Sequence, residues 1–261
     1  MPTTSALRDV RAPDTAAGSA DRLAELRAEI DRLDAQLLRA LEQRIALARE
    51  IGANKPPIAG QPSIGFRPDR EAAVVSGLLS RADPSMHALV QGVWREVMSA
   101  GLAAQGPMTV AVWRGPERRV GLDAARRRFG ASARYVRAAD PEAALADAAR
   151  GDTLAVLALE SDRPWWLALA DACDDLWVCE ALSATDDGRE PDALAIGRLP
   201  PASLAPGREV RVTRCGGDGG WSGPPDLVLA TAEGWRLTLA ARRTDGPLDA
   251  AARDRGVVGR V

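Results

Sequence analysis

The sequence lacks an excess of charge of either sign: 34 basic residues are set against 36 acidic ones over 261 positions, a formal net charge of −2. Charges interspersed in this way give no electrostatic footprint for nucleic acid or an anionic membrane surface. Long hydrophobic runs are missing too. Nothing approaches the roughly 20 apolar residues that span a bilayer, and the first twenty residues lack the apolar core of a secretory signal, so a cytoplasmic protein is expected. Cysteine is scarce. Cys173, Cys179 and Cys215 are odd in number, form no CxxC pair and, with the single His87, build no recognisable metal site, so free thiols are expected. Lysine is scarcer still, because Lys55 is the only one and every other cationic side chain is arginine. No Ser, His and Asp pattern marks a nucleophile, and Ser99 has no such companions.

What is present is a globular composition, 46% hydrophobic, ample for a core in one large domain or two ordinary ones. Residues 1–20 have no periodicity and read as a tail. From Asp21 a stripe of Leu23, Leu26, Ile30, Leu33 and Leu37, continued by Leu41, Ile45, Ala48 and Ile51, predicts a helix of about thirty residues. Such a helix, about 45 to 50 Å long, exceeds the width of a compact domain of its size, and a second chain is expected to cover its far end. Gly52 and Pro56-Pro57 are expected to end it. "FRPDREAAVVSGLLSRADP" predicts a second helix with Pro68 at its first position and Asp69 and Glu71 at the positive end of its dipole. Pro84 is expected to start a third, with Val90, Trp94, Val97, Met98 and Leu102 on one side and a break at Gly106-Pro107.

Beyond Pro107 short apolar runs alternate with Ala- and Arg-rich stretches, an α/β pattern: "TVAVW", "LDAARRRFG", "AALADAARG", "TLAVLALE", "DLWVCEAL", "DALAIGRL", "EVRVTRC" and "DLVLAT". The expected organisation is therefore a tail over 1–20, a three-helix all-α domain over 21–106 and an α/β domain over 107–261. "GGDGGW" (Gly216 to Trp221) fits neither a dinucleotide fingerprint nor a P-loop and reads as a turn. Trp165 and Trp166 read as core, and His87 as a surface or cap residue.

Several polar side chains fall where a helical core does not need them. Arg44 and Lys55 are within about 20° of one helix face and roughly 16 Å apart along the axis, close enough for both to converge on one solute. Arg27 lies about 25 Å from Arg44 and some 100° round the helix, so one chain cannot bring both to the same site. Arg67, Arg70 and Glu71 share a face of the second helix, where the simplest reading is an exposed ion pair within the helix. Gln105 follows Trp94, Met98 and Gly101 on the apolar seam of the third helix, and a buried amide needs partners.

These residues, in this order, resemble the all-α class of chorismate mutases. "LRAEIDRLDAQLLRALEQRIALAREIGANK" is similar to that family's first helix, "FRPDREAAVV" to its second and "VWREVMSAGLAAQ" to the end of its third. The resemblance implies an intertwined homodimer with two equivalent sites, chorismate as substrate and no cofactor. It implies that Arg27 reaches the partner's site and pairs with a substrate carboxylate, that Arg44 binds carboxylate from the home chain, and that Arg70 is a further arginine of the site. Glu71 would hold the substrate hydroxyl, with Arg67 where backbone near that hydroxyl is used. Lys55 and Gln105 would donate to the ether oxygen. Where the family often has Ser, this chain has Gly101, which removes a hydroxyl contact and implies weaker substrate binding.

The pericyclic rearrangement of chorismate to prephenate needs no nucleophile or proton relay. It needs cations that fold the dianion into its reactive conformer, and donors aimed at the oxygen that gains charge as the C–O bond breaks. A compact ammonium suits that single oxygen better than a planar guanidinium. With an amide at 105, turnover is expected to vary little between about pH 6 and 8.

"MTVAVWRGPERRVGLDAARRRFG" resembles the opening of a prephenate dehydratase domain, and "VLALES" another segment of it. Arg118, Arg119 and Val120 replace the small and hydroxyl residues of the dehydratase loop, and "VTRC" comes too early for a complete two-lobed domain. A shortened, non-catalytic dehydratase-like domain is expected, with an aromatic amino acid as a candidate effector. The alternatives are a bifunctional mutase/dehydratase, or a non-catalytic ligand sensor with a helical dimerisation module.

Overall fold

The apolar stripe belongs to one continuous helix, α1 (Thr15–Asn54), 40 residues and about 60 Å long at 1.5 Å per residue. In this computed structural model the described residues are 15–54, 64–106, 108–115, 120–171, 176–184, 190–215, 226–245, 248, 252 and 256–261. α1 starts ahead of Asp21, so residues 15–20 of the expected tail are helical, while 1–14 lie outside the described residues. Gly52 does not end the helix as expected but sits inside its last turn. Its role is close approach: a Cβ there would lie 2.1 Å from the carbonyl oxygen of Gln105. The expected turn "GGDGGW" falls outside the described residues.

The chain divides into two compact units, residues 1–44 and 45–261. The described part of the first is the helical stretch 15–44. Its polar flank carries exposed pairs three apart, Arg22 with Glu25 at 2.9 Å and Arg32 with Glu29. Its apolar flank is open, with Ile30 56% and Leu37 63% exposed.

In the second unit the end of α1 is followed by α2 (Pro68–Leu79) and α3 (His87–Gln105). Pro68 takes the first position of α2, where its missing N–H costs nothing, and Asp69 and Glu71 lie in the first turn. Pro84 opens a short 3-10 turn (Pro84–Met86) ahead of α3, and the Asp83 carboxylate accepts from the Ser85 N–H at 2.8 Å. Met98 and Leu102 are the buried apolar side chains of α3.

The remainder is a mixed sheet with helices on its faces. β1 (Thr109–Trp113), α4 (Val120–Phe129), β2 (Arg134–Arg137), α5 (Pro141–Ala149) and β3 (Thr153–Ala158) form a β-α-β-α-β run in which β1 pairs in parallel with both β2 and β3. After α6 (Ala168–Asp171) come β4 (Leu176–Leu182), β5 (Ala193–Arg198), β6 (Gly207–Arg214), β7 (Leu227–Ala232), β8 (Trp235–Thr244) and β9 (Val257–Arg260). Among the described residues the sheet has the order β2-β1-β3-β5-β4-β9-β6-β8-β7. Beyond β3 every neighbour is antiparallel except β4 with β9.

Strand alternation sends consecutive side chains to two cores. Val110, Val112, Leu154 and Val156 pack with Ala124, Ala125 and Phe129 of α4 on one face. Ala111, Ala155 and Leu157 pack with Ala144, Leu145 and Ala148 of α5 on the other. Trp165 and Trp166 join that second core as expected, and the Trp165 indole donates to the Ala158 carbonyl at 2.9 Å.

The segment leading into α2 is part of the sheet's first core. Ile64 and Phe66 are 3% and 1% exposed and cluster with Met108, Val110 and Phe129. The Ile64 N–H donates to the Gly151 carbonyl at 2.8 Å, fastening that segment to the turn before β3. No described helix is long and apolar enough to cross a membrane.

Candidate functional site

The last two turns of α3 place Met98, Gly101, Leu102 and Gln105 at intervals of three and four, on one side of the helix. Gly101 and Leu102 are buried and Gln105 is half-buried. The Gln105 amide donates back to the Gly101 carbonyl at 3.4 Å. Gly52 brings the last turn of α1 against the backbone of Gln105. The next described residue in the chain is Ile64, so Lys55 falls outside the described residues.

Glu71 projects from the first turn of α2 and, with Met98, Ser99 and Leu102, lines a cavity of about 10 Å³, room for about one water. The Ser99 hydroxyl is buried with no hydrogen-bond partner among the described residues, and Arg95 and Arg128 complete the polar lining.

The expected ion pair within α2 is not the one formed. Arg67 lies just before the helix and turns to Asp69, donating through Nε at 2.9 Å and Nη2 at 2.5 Å. Burial alone would raise the Asp69 carboxyl, yet the Arg67 hydrogen bond and neighbouring backbone N–H groups hold it below the usual carboxylate range. Arg70 is exposed. Glu71 pairs instead with Arg128 of α4: the Arg128 Nη2 donates to Glu71 Oε2 at 2.9 Å and to Glu180 Oε1 of β4 at 2.5 Å. The guanidinium lies 5.5 Å from the Phe66 ring centroid and 5.3 Å from that of Phe129. Burial works against its charge, but the Glu180 and Glu71 carboxylates outweigh that and push its pKa above the ordinary arginine value.

Neither Arg128 nor Glu180 was singled out by sequence. Arg128 sits in "ARRRF", within an Ala- and Arg-rich stretch that marks no one arginine, and its partners are 57 and 52 positions away. The position of α4 is itself secured by α3: Gly130, at φ +76°, ends the helix and lets the Ala131 N–H donate to both oxygens of Glu96, at 2.9 and 3.1 Å.

Arg27 and Arg44 belong to the first unit, where Arg27 is exposed and Arg44 half-buried. Cys179 is a buried free thiol whose pKa burial drives well up, Cys215 is free and exposed, and Cys173 lies outside the described residues. His87 is half-buried, and its Nε2 finds no partner among the described residues. No three described His, Cys, Asp or Glu side chains gather as metal ligands.

The family model for chorismate mutase type II matches residues 26–106. Residues 26–106 are a chorismate mutase type II domain. All eight candidate residues, Arg27, Arg44, Lys55, Arg67, Arg70, Glu71, Gly101 and Gln105, fall inside it. A bifunctional chorismate mutase/prephenate dehydratase of Neisseria gonorrhoeae is 36% identical over 105 residues, 40% of this chain and 27% of that protein. Its counterpart in Aquifex aeolicus is 36% identical over 122 residues, 44% of this chain and 32% of the relative. The matches thus span about a third or less of the length of those curated relatives. No solved structure matches the chain. A mutase domain of helices followed by a mixed α/β sheet is the fold class expected from the sequence.

Proposed function

We propose that the protein is a cytoplasmic chorismate mutase that rearranges chorismate to prephenate as a homodimer, with a non-catalytic α/β domain over residues 107–261. The observation that carries this reading is the family match over 26–106, which takes in every residue the reaction calls for. Arg27, Arg44 and Arg70 bind the two carboxylates and fold the enolpyruvyl arm over the ring. Lys55 and Gln105 donate to the ether oxygen as it gains negative charge, which stabilises the transition state more than the substrate. Glu71 accepts from the substrate hydroxyl, and the backbone near Arg67 lies beside it. Gly101 offers no hydroxyl, so the substrate binds more weakly without loss of the chemistry.

The second copy is the proposed cover for the open stripe of α1, where Leu23, Leu26, Ile30, Leu33, Leu37, Leu38, Leu41, Leu47 and Ile51 are each more than 40% exposed. So many large apolar side chains on one helix are costly in water and mark an interface. A dimer also explains how Arg27 and Arg44, on different faces of α1, serve one site.

That both relatives are bifunctional chorismate mutase/prephenate dehydratases favours a second reading, in which the chain also dehydrates prephenate. Product analysis after incubation with chorismate separates the two. Prephenate as the end product supports the mutase alone, phenylpyruvate establishes the bifunctional enzyme, and unreacted chorismate rejects both.

A further inference from the structure

We propose that Arg128, a residue of the α/β domain, is a positioning residue for the mutase reaction, holding the Glu71 carboxylate for the substrate hydroxyl. This rests on the mutase reading. Through one nitrogen, Nη2, Arg128 bridges Glu71 of α2 and Glu180 of β4, at 2.9 and 2.5 Å. The three side chains are only 27%, 17% and 23% exposed, so the bridge is screened far less than a surface pair. The guanidinium plane is fixed from the sides by Phe66 and Phe129, whose rings meet edge-to-face at 5.8 Å. Phe66 lies in the buried segment that leads directly into α2. Arg128 is therefore tied to α2 twice, once through charge and once through packing.

The bridge does two things to Glu71. A cation at hydrogen-bond distance favours its ionised form, the form that accepts from a hydroxyl. It also constrains the rotamer, because Oε2 is held by an atom that Glu180 holds in turn. A carboxylate has about four lone-pair sites, of which the Arg128 bond takes one. The small cavity beside it is walled on the α3 side by Arg95, Met98, Ser99 and Leu102. The second domain thus contributes to the mutase by supplying a clamp on Glu71 whose other two members, Arg128 and Glu180, lie outside residues 26–106.

The test is a mutant cycle on the full chain, with kcat and KM for chorismate measured in Arg128→Met and Arg128→Lys, each with and without Glu71→Gln. Loss of kcat/KM by about tenfold or more is expected for Arg128→Met, as for other small misplacements of a binding group. A smaller loss is expected for Arg128→Lys, which keeps the charge. In the Glu71→Gln background neither change lowers kcat/KM further, because Arg128 acts through Glu71. If Arg128→Met does not fold, the same cycle run with Arg128→Lys decides. Equal losses in both Glu71 backgrounds would overturn the proposal, showing a purely structural role, and a gain in kcat/KM would overturn it by showing that Arg128 sequesters Glu71. A wild type that leaves chorismate unchanged would instead reject the mutase reading, and this inference with it.

Discussion

Gly52 of α1 and Gln105 of α3 touch backbone to backbone, with the position of a Cβ at 52 only 2.1 Å from the Gln105 carbonyl oxygen. Backbone has no flexible end to move aside, so Gly52→Ala must separate the two helices. It is expected to destabilise the protein by about 1–3 kcal/mol, the usual cost of overpacking. Urea unfolding measures it, and an unchanged midpoint would show that the helices do not meet this closely. Turnover should fall as well, since Gln105 moves with its backbone.

Tyr135 is the only tyrosine in the chain, which makes its titration directly readable. Its hydroxyl donates to the Gly130 carbonyl at 2.6 Å, and burial, helped by the Glu96 charge and opposed by Arg126, pushes its pKa up to about 12. Tyrosinate absorbance should therefore show one late transition in the folded protein. The unfolded chain ionises near the ordinary value of about 10. The stability this group contributes is thus intact below about pH 10 and is lost as pH rises towards 12, because there the unfolded state binds fewer protons. A transition near 10 would place the hydroxyl in water.

Much of this was legible from sequence, for reasons that differ between elements. The α1 stripe repeats at helical spacing over many turns, and β1, β3, β4, β5 and β6 coincide with apolar runs because those strands bury side chains in the cores, while β7 matches its run as an edge strand that packs partly buried residues against the second core. β2 was not legible: it is an edge strand of four residues, "RYVR", with both ends exposed. β9, "VVGR", is equally short and buries a terminal arginine. The clamp on Glu71 was hidden for another reason. Local spacing pairs Glu71 with Arg67, whereas its partner Arg128 lies on α4 and is brought to it by the packing of Phe129, the last residue of α4, against Phe66.

The exposed stripe predicts dissociation on substitution. Leu33→Glu combined with Leu37→Glu should convert a dimer to monomer in sedimentation experiments, since each buried leucine contributes about 1.5–3 kcal/mol to an apolar interface. Chorismate turnover should be lost in parallel, because Arg27 then has no partner site to reach. A wild type that sediments as a monomer and remains active would reject the shared site.

Lys55→Arg keeps the charge but exchanges a compact ammonium for a planar fork. If Lys55 donates to the ether oxygen, kcat should fall by about a hundredfold or more, the scale seen when one preorganised donor is removed. Near-full turnover would mean that charge alone is needed at position 55.

The most direct measurement is the ultraviolet decay of chorismate with the wild-type protein and with Lys55→Ala, followed by product analysis. The mutase reading predicts decay that stops at prephenate with the wild type and collapses in the variant. Decay at the uncatalysed rate with the wild type, or equal rates for both proteins, would contradict it.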